Sequence, residues 1–335
     1  QIRRATVEGP VIPRQTSEGG QHMNRLATAF RDLRRNGAFL LMVLPGAAWF
    51  ILFCYLPMPG AIFAFKEFRV DLGGGFFGAI FRSEWVGFKN FEFLFKAHDA
   101  YIITRNTVLY NLVFIVLGLV CSVAMALLLF QLTQKRLAKL YQTAMFMPYF
   151  LSWVIVSYFT FSFLSVDKGV VNQLLGTLGV QPIDWYSDPK YWPYILVFMN
   201  LWKGVGYSSV IYLAAIAGID KTYYEAAMID GASKWQQTLR ITLPLIRPMM
   251  IILTILAVGG IFRADFGLFF QIPRDSGALF PVTNVIDTYV YRSLKVLGDF
   301  GMSTAAGLYQ SVVGLILVLT TNKIVKKINE EQALF

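Results

Sequence analysis

The 335 residues are 56% hydrophobic and only 15% charged, with a formal net charge of +10. That balance excludes a pair of ordinary soluble domains and fits a polytopic membrane protein. The basic residues are dispersed between apolar segments, not gathered on an aromatic-studded stripe, which argues for membrane topology and against nucleic acid.

Residues 1–36 are polar and basic and form a separate N-terminal segment. Met23, ahead of "NRLATAFRDLRRN", is a candidate initiator that would leave residues 1–22 as an extension. The first apolar stretch is too long for a signal-peptide core and lacks a small-residue cleavage pattern, so a retained helix is expected. A helix crossing a hydrocarbon core of about 30 Å needs about 20 apolar residues. By that measure the spans are 38–57, 107–130, 144–165, 193–217, 248–270 and 304–322, an all-α, six-span membrane domain over residues 37–335. Arg263 and Asp265 interrupt the fifth, which must start earlier than Pro248 or continue through "FGLFF".

Between the first two spans, "DLGGGFFG" (71–78) has glycine but no GK[ST] ending, so it reads as a flexible loop and not a phosphate loop. Cys54 and Cys121 lie in apolar runs without a CxxC partner, so neither a disulfide nor a zinc site is expected. In the second span Gly118, Ser122 and Ala126 recur every four residues, a face for close helix packing, within the chain in preference to a dimer seam. In the fourth, Asn200, Lys203 and Tyr207 share a face. Polar groups inside spans are costly and mark a pathway or a helix-to-helix bond. For Lys203 a buried pair with an acid such as Asp265 is the favoured expectation, because an unpaired ammonium there is expensive. Arg263 and Asp265, two apart, fall on different helix faces. The Arg263 fork suits a carboxylate. Trp153, Tyr158 and Tyr207 are candidates for stacking on sugar rings. The segment 271–294 mixes turn formers with an amphipathic stretch, and is read as either a lid or a surface for a partner.

Lys and Arg are commoner in residues 1–36 and in the 131–142, 218–247 and C-terminal connections than in the others, which places both termini and the 218–247 loop in the cytoplasm. In that loop Tyr224, Ala227, Met228 and Gly231 share one helical face, Asp230-Gly231 is a turn signal, and Ser233 is placed to cap a second helix with Trp235, Thr238, Leu239 and Thr242 on one face. Pro244 and Pro248 are expected to interrupt that helix and help start the next span. A rigid helix-turn-helix ledge results, either lying on lipid or offering Trp235 as an anchor to a partner.

Glu225, Ala226, Ala227, Gly231, Ile241, Leu243 and Pro244 match the EAA loop, EAA-x3-G-x9-I-x-LP, of permease subunits of binding-protein-dependent ABC importers, and the chain resembles that family. "NLWKGVGYSSVIYLAAIAGID", "LPGAAWFILFCYLPMPGAIFAFKEF", "WVGFKNFEFLF" and the final "ALF" resemble its LplB-like, carbohydrate-uptake branch. The resemblance covers about residues 24–335. It implies a type I importer fold in the bacterial inner membrane, a second and similar permease, two ATPase subunits that hold ATP and Mg, and an external solute-binding protein. It also implies an ATPase-coupling role for Glu225, Ala226, Ala227 and Gly231, and Met228, Asp230 and Trp235 belong to the same ledge. Oligosaccharide import by alternating access follows, with uronate chains such as alginate fragments fitting Arg263 and neutral sugars fitting nearly as well. With two histidines, His22 and His98, and no HExxH or nucleophile elbow, catalysis by the chain itself is not expected. A secondary transporter or channel is the competing class.

Overall fold

The computed structural model describes residues 36–68, 78, 81–96 and 99–328. The expectations for residues 1–35, for His98 and for the 71–77 glycine loop lie outside these residues. The chain divides into two compact units, Gln1–Gly60 and Ala61–Phe335.

In the first unit, helix α1 (Gly37–Phe50) runs through Pro45 into a π turn over Ile51–Tyr55. Its side chains are apolar all round and none is buried. A helix of that kind is at home in lipid or against another chain.

The second unit begins with an antiparallel pair, β1 (Lys66–Glu67) and β2 (Glu84–Trp85). Asn90 Nδ2 donates to the carbonyls of Ala64 and Lys66 at 3.1 and 3.0 Å, pinning the chain beside it. The helices α2 (Ala100–Gln131), α3 (Lys135–Phe146), α4 (Trp153–Leu164), α5 (Val170–Thr177) and α6 (Trp192–Ala217) follow. Next come α7 (Lys221–Ile229), α8 (Lys234–Gln237), α9 (Leu243–Gly259), α10 (Phe266–Gln271), α11 (Ile286–Arg292) and α12 (Phe300–Ile328).

Helices α2 and α6 lie along one another. One part of the core joins Val123, Ala126, Tyr212, Ile216 and Ile246, and another joins Tyr110, Trp192, Leu196 and Phe269. Ser122 and Ala126 are buried, so the small-residue face is used within the chain as expected. Gly206 lets α6 touch its neighbour, since a Cβ there would stand 1.9 Å from the Met145 carbonyl oxygen.

Among the described residues four helices are long and apolar enough to cross a membrane: Gly37–Phe65, Ala100–Gln131, Lys234–Gly259 and Phe300–Lys327. The expected fourth span forms α6, 26 residues long, but Asn200, Lys203 and its tyrosines and serines dilute its apolar character below the other four.

Two expectations need correction. The 144–165 span is not straight: α3 and α4 meet through a 3-10 turn, Met147–Phe150, and are bent by 99°. Pro148 has no N–H for the ladder, and Ser152 caps α4 afresh by accepting from the Ile155 N–H. The second ledge helix is not separate either. A π turn over Thr238–Thr242 carries α8 into α9, so the fifth span begins at Lys234. One extra residue in the turn accommodates Pro244, which neither donates to the ladder nor fits against the carbonyl four residues earlier. That span ends at Gly259, and the chain is non-helical until Asp265 caps α10.

Candidate functional site

Loop 218–247 is built by capping. The Asp220 carboxylate accepts from the Thr222 N–H at 2.9 Å, and this bond holds its pKa below the ordinary carboxylate value. The far end of α7 closes with Ala232 N–H donating to Ala227 O and Gly231 N–H to Met228 O. Such a closure requires a left-handed residue, and Gly231 supplies it at φ +77°. Ser233 and Gln236 form a reciprocal capping box that starts α8.

Tyr224 anchors the loop to the spans. Its hydroxyl is 3.0 Å from Thr242 Oγ1, and its ring lies 6.1 Å from that of Phe130. The expected faces are therefore split: Tyr224 and Ala227 turn inward while Met228 is half exposed, and Thr238 and Thr242 are buried while Trp235 and Leu239 are not. Glu225, Ala226 and Asp230 are exposed. With Ile229 at 87% and Trp235 at 69% exposure, the loop presents an apolar, carboxylate-edged surface. Single large hydrophobics at the surface are common and by themselves assign no partner.

A second cluster forms where the two broken spans meet. Lys203 reaches the α3–α4 bend, donating to the freed carbonyls of Tyr149 and Leu151 at 2.7 and 2.6 Å. Its ammonium stands 5.2 Å from the Trp153 ring centroid and 5.5 Å from that of Tyr149. No ion pair joins it to Asp265 among the described residues, which corrects the expected partner. The bend leaves two carbonyls outside the helical ladder, and one ammonium satisfies both.

Asp265 accepts from the Trp153 indole N–H at 2.7 Å and from the Leu268 N–H. Arg263 donates to Ser311 Oγ at 2.9 Å. Both side chains are exposed and neither sits on a helix, so the two-face argument does not apply; they lie in the non-helical stretch between α9 and α10. Tyr207 stacks on Tyr149 with ring centroids 4.4 Å apart and planes 12° apart. Asn200, half-buried, makes no hydrogen bond among the described residues. Tyr158 is 64% exposed and joins none of these rings.

Four members of this region escaped the sequence reading. Tyr149 comes from the bend, and no spacing relates it to Tyr207. Asn111 Nδ2 donates to the carbonyls of Ile261 and Arg263 at 3.0 and 3.1 Å, Gln310 Nε2 to Phe262 O at 2.6 Å, and Asp287 Oδ2 accepts from the Ala264 N–H at 2.7 Å. Asn111, Gln310 and Asp287 together satisfy backbone groups that the gap at 260–265 sets free. Irregular backbone at membrane depth is tolerated where it is buried in protein or lines a cavity.

Interrupted spans around an aromatic and polar cluster, with a capped helical loop at the other end of α6, define a transport subunit of the membrane. The chain belongs to the family described as binding-protein-dependent transport system inner membrane component, whose model matches residues 114–330. It is a permease and not an enzyme, and family membership sets aside a secondary transporter or channel. Protein LplB of Bacillus subtilis is 35% identical over 299 residues, 89% of this chain and 92% of that protein. The polygalacturonan/rhamnogalacturonan transport system permease protein YteP of the same organism is 35% identical, over 87% of this chain and 88% of YteP. In a crystal structure of a bacterial ABC transporter that imports the acidic polysaccharide alginate, one chain superimposes with a TM-score of 0.80 at 32% identity, covering 90% of this chain and 99% of that one.

Proposed function

We propose that the chain forms one half of the translocation path of an ATP-driven oligosaccharide importer, that its cargo is an acidic, uronate-type oligosaccharide, and that loop 218–247 faces the cytoplasm and seats on an ATPase subunit. The stacked Tyr149–Tyr207 pair, joined to Trp153 through Lys203, with Asp265 on the indole and Arg263 two residues before it in the gap, carries the reading. Sugar sites combine apolar ring faces with a few fixed polar groups, and the Arg263 guanidinium adds a fork for a carboxylate. The polygalacturonan and alginate transporters among the relatives support the same cargo class.

A second, similar permease completes the pore, an external binding protein delivers the cargo, and two ATPases hold ATP and Mg; this chain itself holds no cofactor. ATP draws the ATPases together, the two coupling loops follow, and the helices open outward; hydrolysis returns them to an inward opening. A ligand shifts such an equilibrium only through contacts that differ between the two states, and a rigid loop transmits that difference without dissipating it.

The test is binding-protein-dependent ATPase stimulation in proteoliposomes containing this chain, its partner permease and the ATPase, with neutral and uronate oligosaccharides. Stimulation confined to uronates is expected. Stimulation by neutral chains alone removes the acidic cargo, and stimulation by neither removes the oligosaccharide class.

A further inference from the structure

The Ala264 N–H, between Arg263 and Asp265, is held by a side chain from a different element. Asp287 lies in the first turn of α11, in the segment that the proposed orientation places outside the membrane. Its Oδ2 accepts from Ala264 N–H at 2.7 Å and from Gln310 Nε2 at 3.2 Å. The same Gln310 nitrogen donates to Phe262 O.

The segment that carries Asp287 is itself fixed to α2. Asn106 Nδ2 donates to Asn284 O at 3.0 Å and to Pro281 O at 3.2 Å, and the Ile286 N–H donates to Thr107 Oγ1 at 3.0 Å. Little more than one turn along α2 from Thr107, Asn111 holds the carbonyls of Ile261 and Arg263. One helix therefore carries two adjacent clamps, one on the outer segment and one on the gap, and Asp287 closes the triangle between them. On the other side of the same segment, Arg292 pairs with Asp275 at 2.6 Å and also contacts Asn284. A movement of the outer segment thus reaches the gap through a short chain of hydrogen bonds, beside apolar contacts that pack Phe262 with Ile286 and Tyr289.

We infer that Asp287 is a positioning residue: by holding the Ala264 N–H it fixes the directions in which Arg263 and Asp265 leave the gap, and so couples the outer segment to discrimination between acidic and neutral cargo. Arg263 and Asp265 each have a single anchoring side chain of their own, Ser311 and Trp153 respectively, and the backbone between them has no helical ladder to fix it. Removing the carboxylate leaves a partly buried N–H without its acceptor and lets that stretch rotate. The inference rests on the cargo reading above.

The experiment compares the acidic-to-neutral ratio of stimulated ATPase rates in proteoliposomes of the complete transporter, for the unaltered chain and for D287A, D287N and R263Q. A ratio taken on the same vesicles cancels differences in assembly. D287A is expected to lower it at least about fivefold, the scale of a modest coupling free energy. D287N, which keeps an oxygen to accept from Ala264, should restore most of it. A ratio unchanged in D287A but changed in R263Q overturns this inference alone, as does D287N falling as far as D287A. A ratio unchanged in R263Q removes the cargo reading and this inference with it. If D287A does not assemble, the D287N arm and Q310A, which loosens the same carboxylate, decide: an unchanged ratio in Q310A is then the overturning result.

Discussion

Lys203 and Asp265 meet on one indole and not on each other: Trp153 donates its N–H to Asp265 at 2.7 Å while the Lys203 ammonium stands 5.2 Å from the ring centroid. The indole thus links the bend at Met147–Leu151 to the gap at 260–265. Gly267 makes the contact possible, since a Cβ there would stand 2.1 Å from Trp153 Cδ1.

W153F keeps an aromatic face for Lys203 and removes the donor to Asp265. A hydrogen bond to a carboxylate is worth about 1.5–3 kcal/mol where it is sheltered, and this one is exposed, so transport in W153F should fall by at most about tenfold. W153A should be lower still, having lost the ring as well. Equal rates in the two variants, measured by uptake into vesicles, would show that the ring face plays no part.

At the capped loop, Gly231 is the sensitive position. G231V forces a β-branched side chain into the left-handed region, with a cost above the roughly 1–2 kcal/mol of an ordinary L-residue. No heavy atom lies within 4 Å of the added Cβ, so the effect is conformational and not steric against neighbours. Insertion should persist while ATP hydrolysis loses its dependence on loaded binding protein. G231N, which tolerates this φ, should retain coupling. Normal ligand-stimulated turnover in G231V would contradict a lever role for the loop.

Asn111 offers a stability test that does not depend on cargo. N111L leaves the carbonyls of Ile261 and Arg263 without their donor; the first bond is partly buried and the second exposed, so the loss is the net value of about 0.5–1.5 kcal/mol per bond. Thermal unfolding of the detergent-solubilised protein should show a lower midpoint, whereas N111A, with room for a water, should lose less. An unchanged midpoint in N111L would mean that the gap finds other donors.

The Asp220 cap has a pH signature of definite sign. Its folded carboxyl titrates below the ordinary value, so the stabilisation is present above the unfolded pKa, about 4, and is lost as pH falls through the folded value. Protection of the α7 amides, measured by hydrogen exchange corrected for its intrinsic pH dependence, should decline in that window. In D220N, which accepts the same bond without titrating, the decline should disappear.

The sequence alone determined the membrane class, the all-α fold and the six apolar stretches, because about 20 apolar residues have few other destinations. It also determined the capped loop. Asp220, Asp230-Gly231 and Ser233 act on neighbours only two to five residues away, so local chemistry fixed the loop's geometry, and the spacing from Glu225 to Pro244 carried the family. Tertiary structure alone decided how the interrupted spans are completed. The donors and acceptors at the breaks come from residues far along the chain: Lys203 for Tyr149 and Leu151, Asn111 for Ile261 and Arg263, Asp287 for Ala264. A carbonyl freed in lipid accepts whichever donor the packing brings near. No periodicity relates Trp153 to Asp265, 112 residues apart; only the fold brings them together.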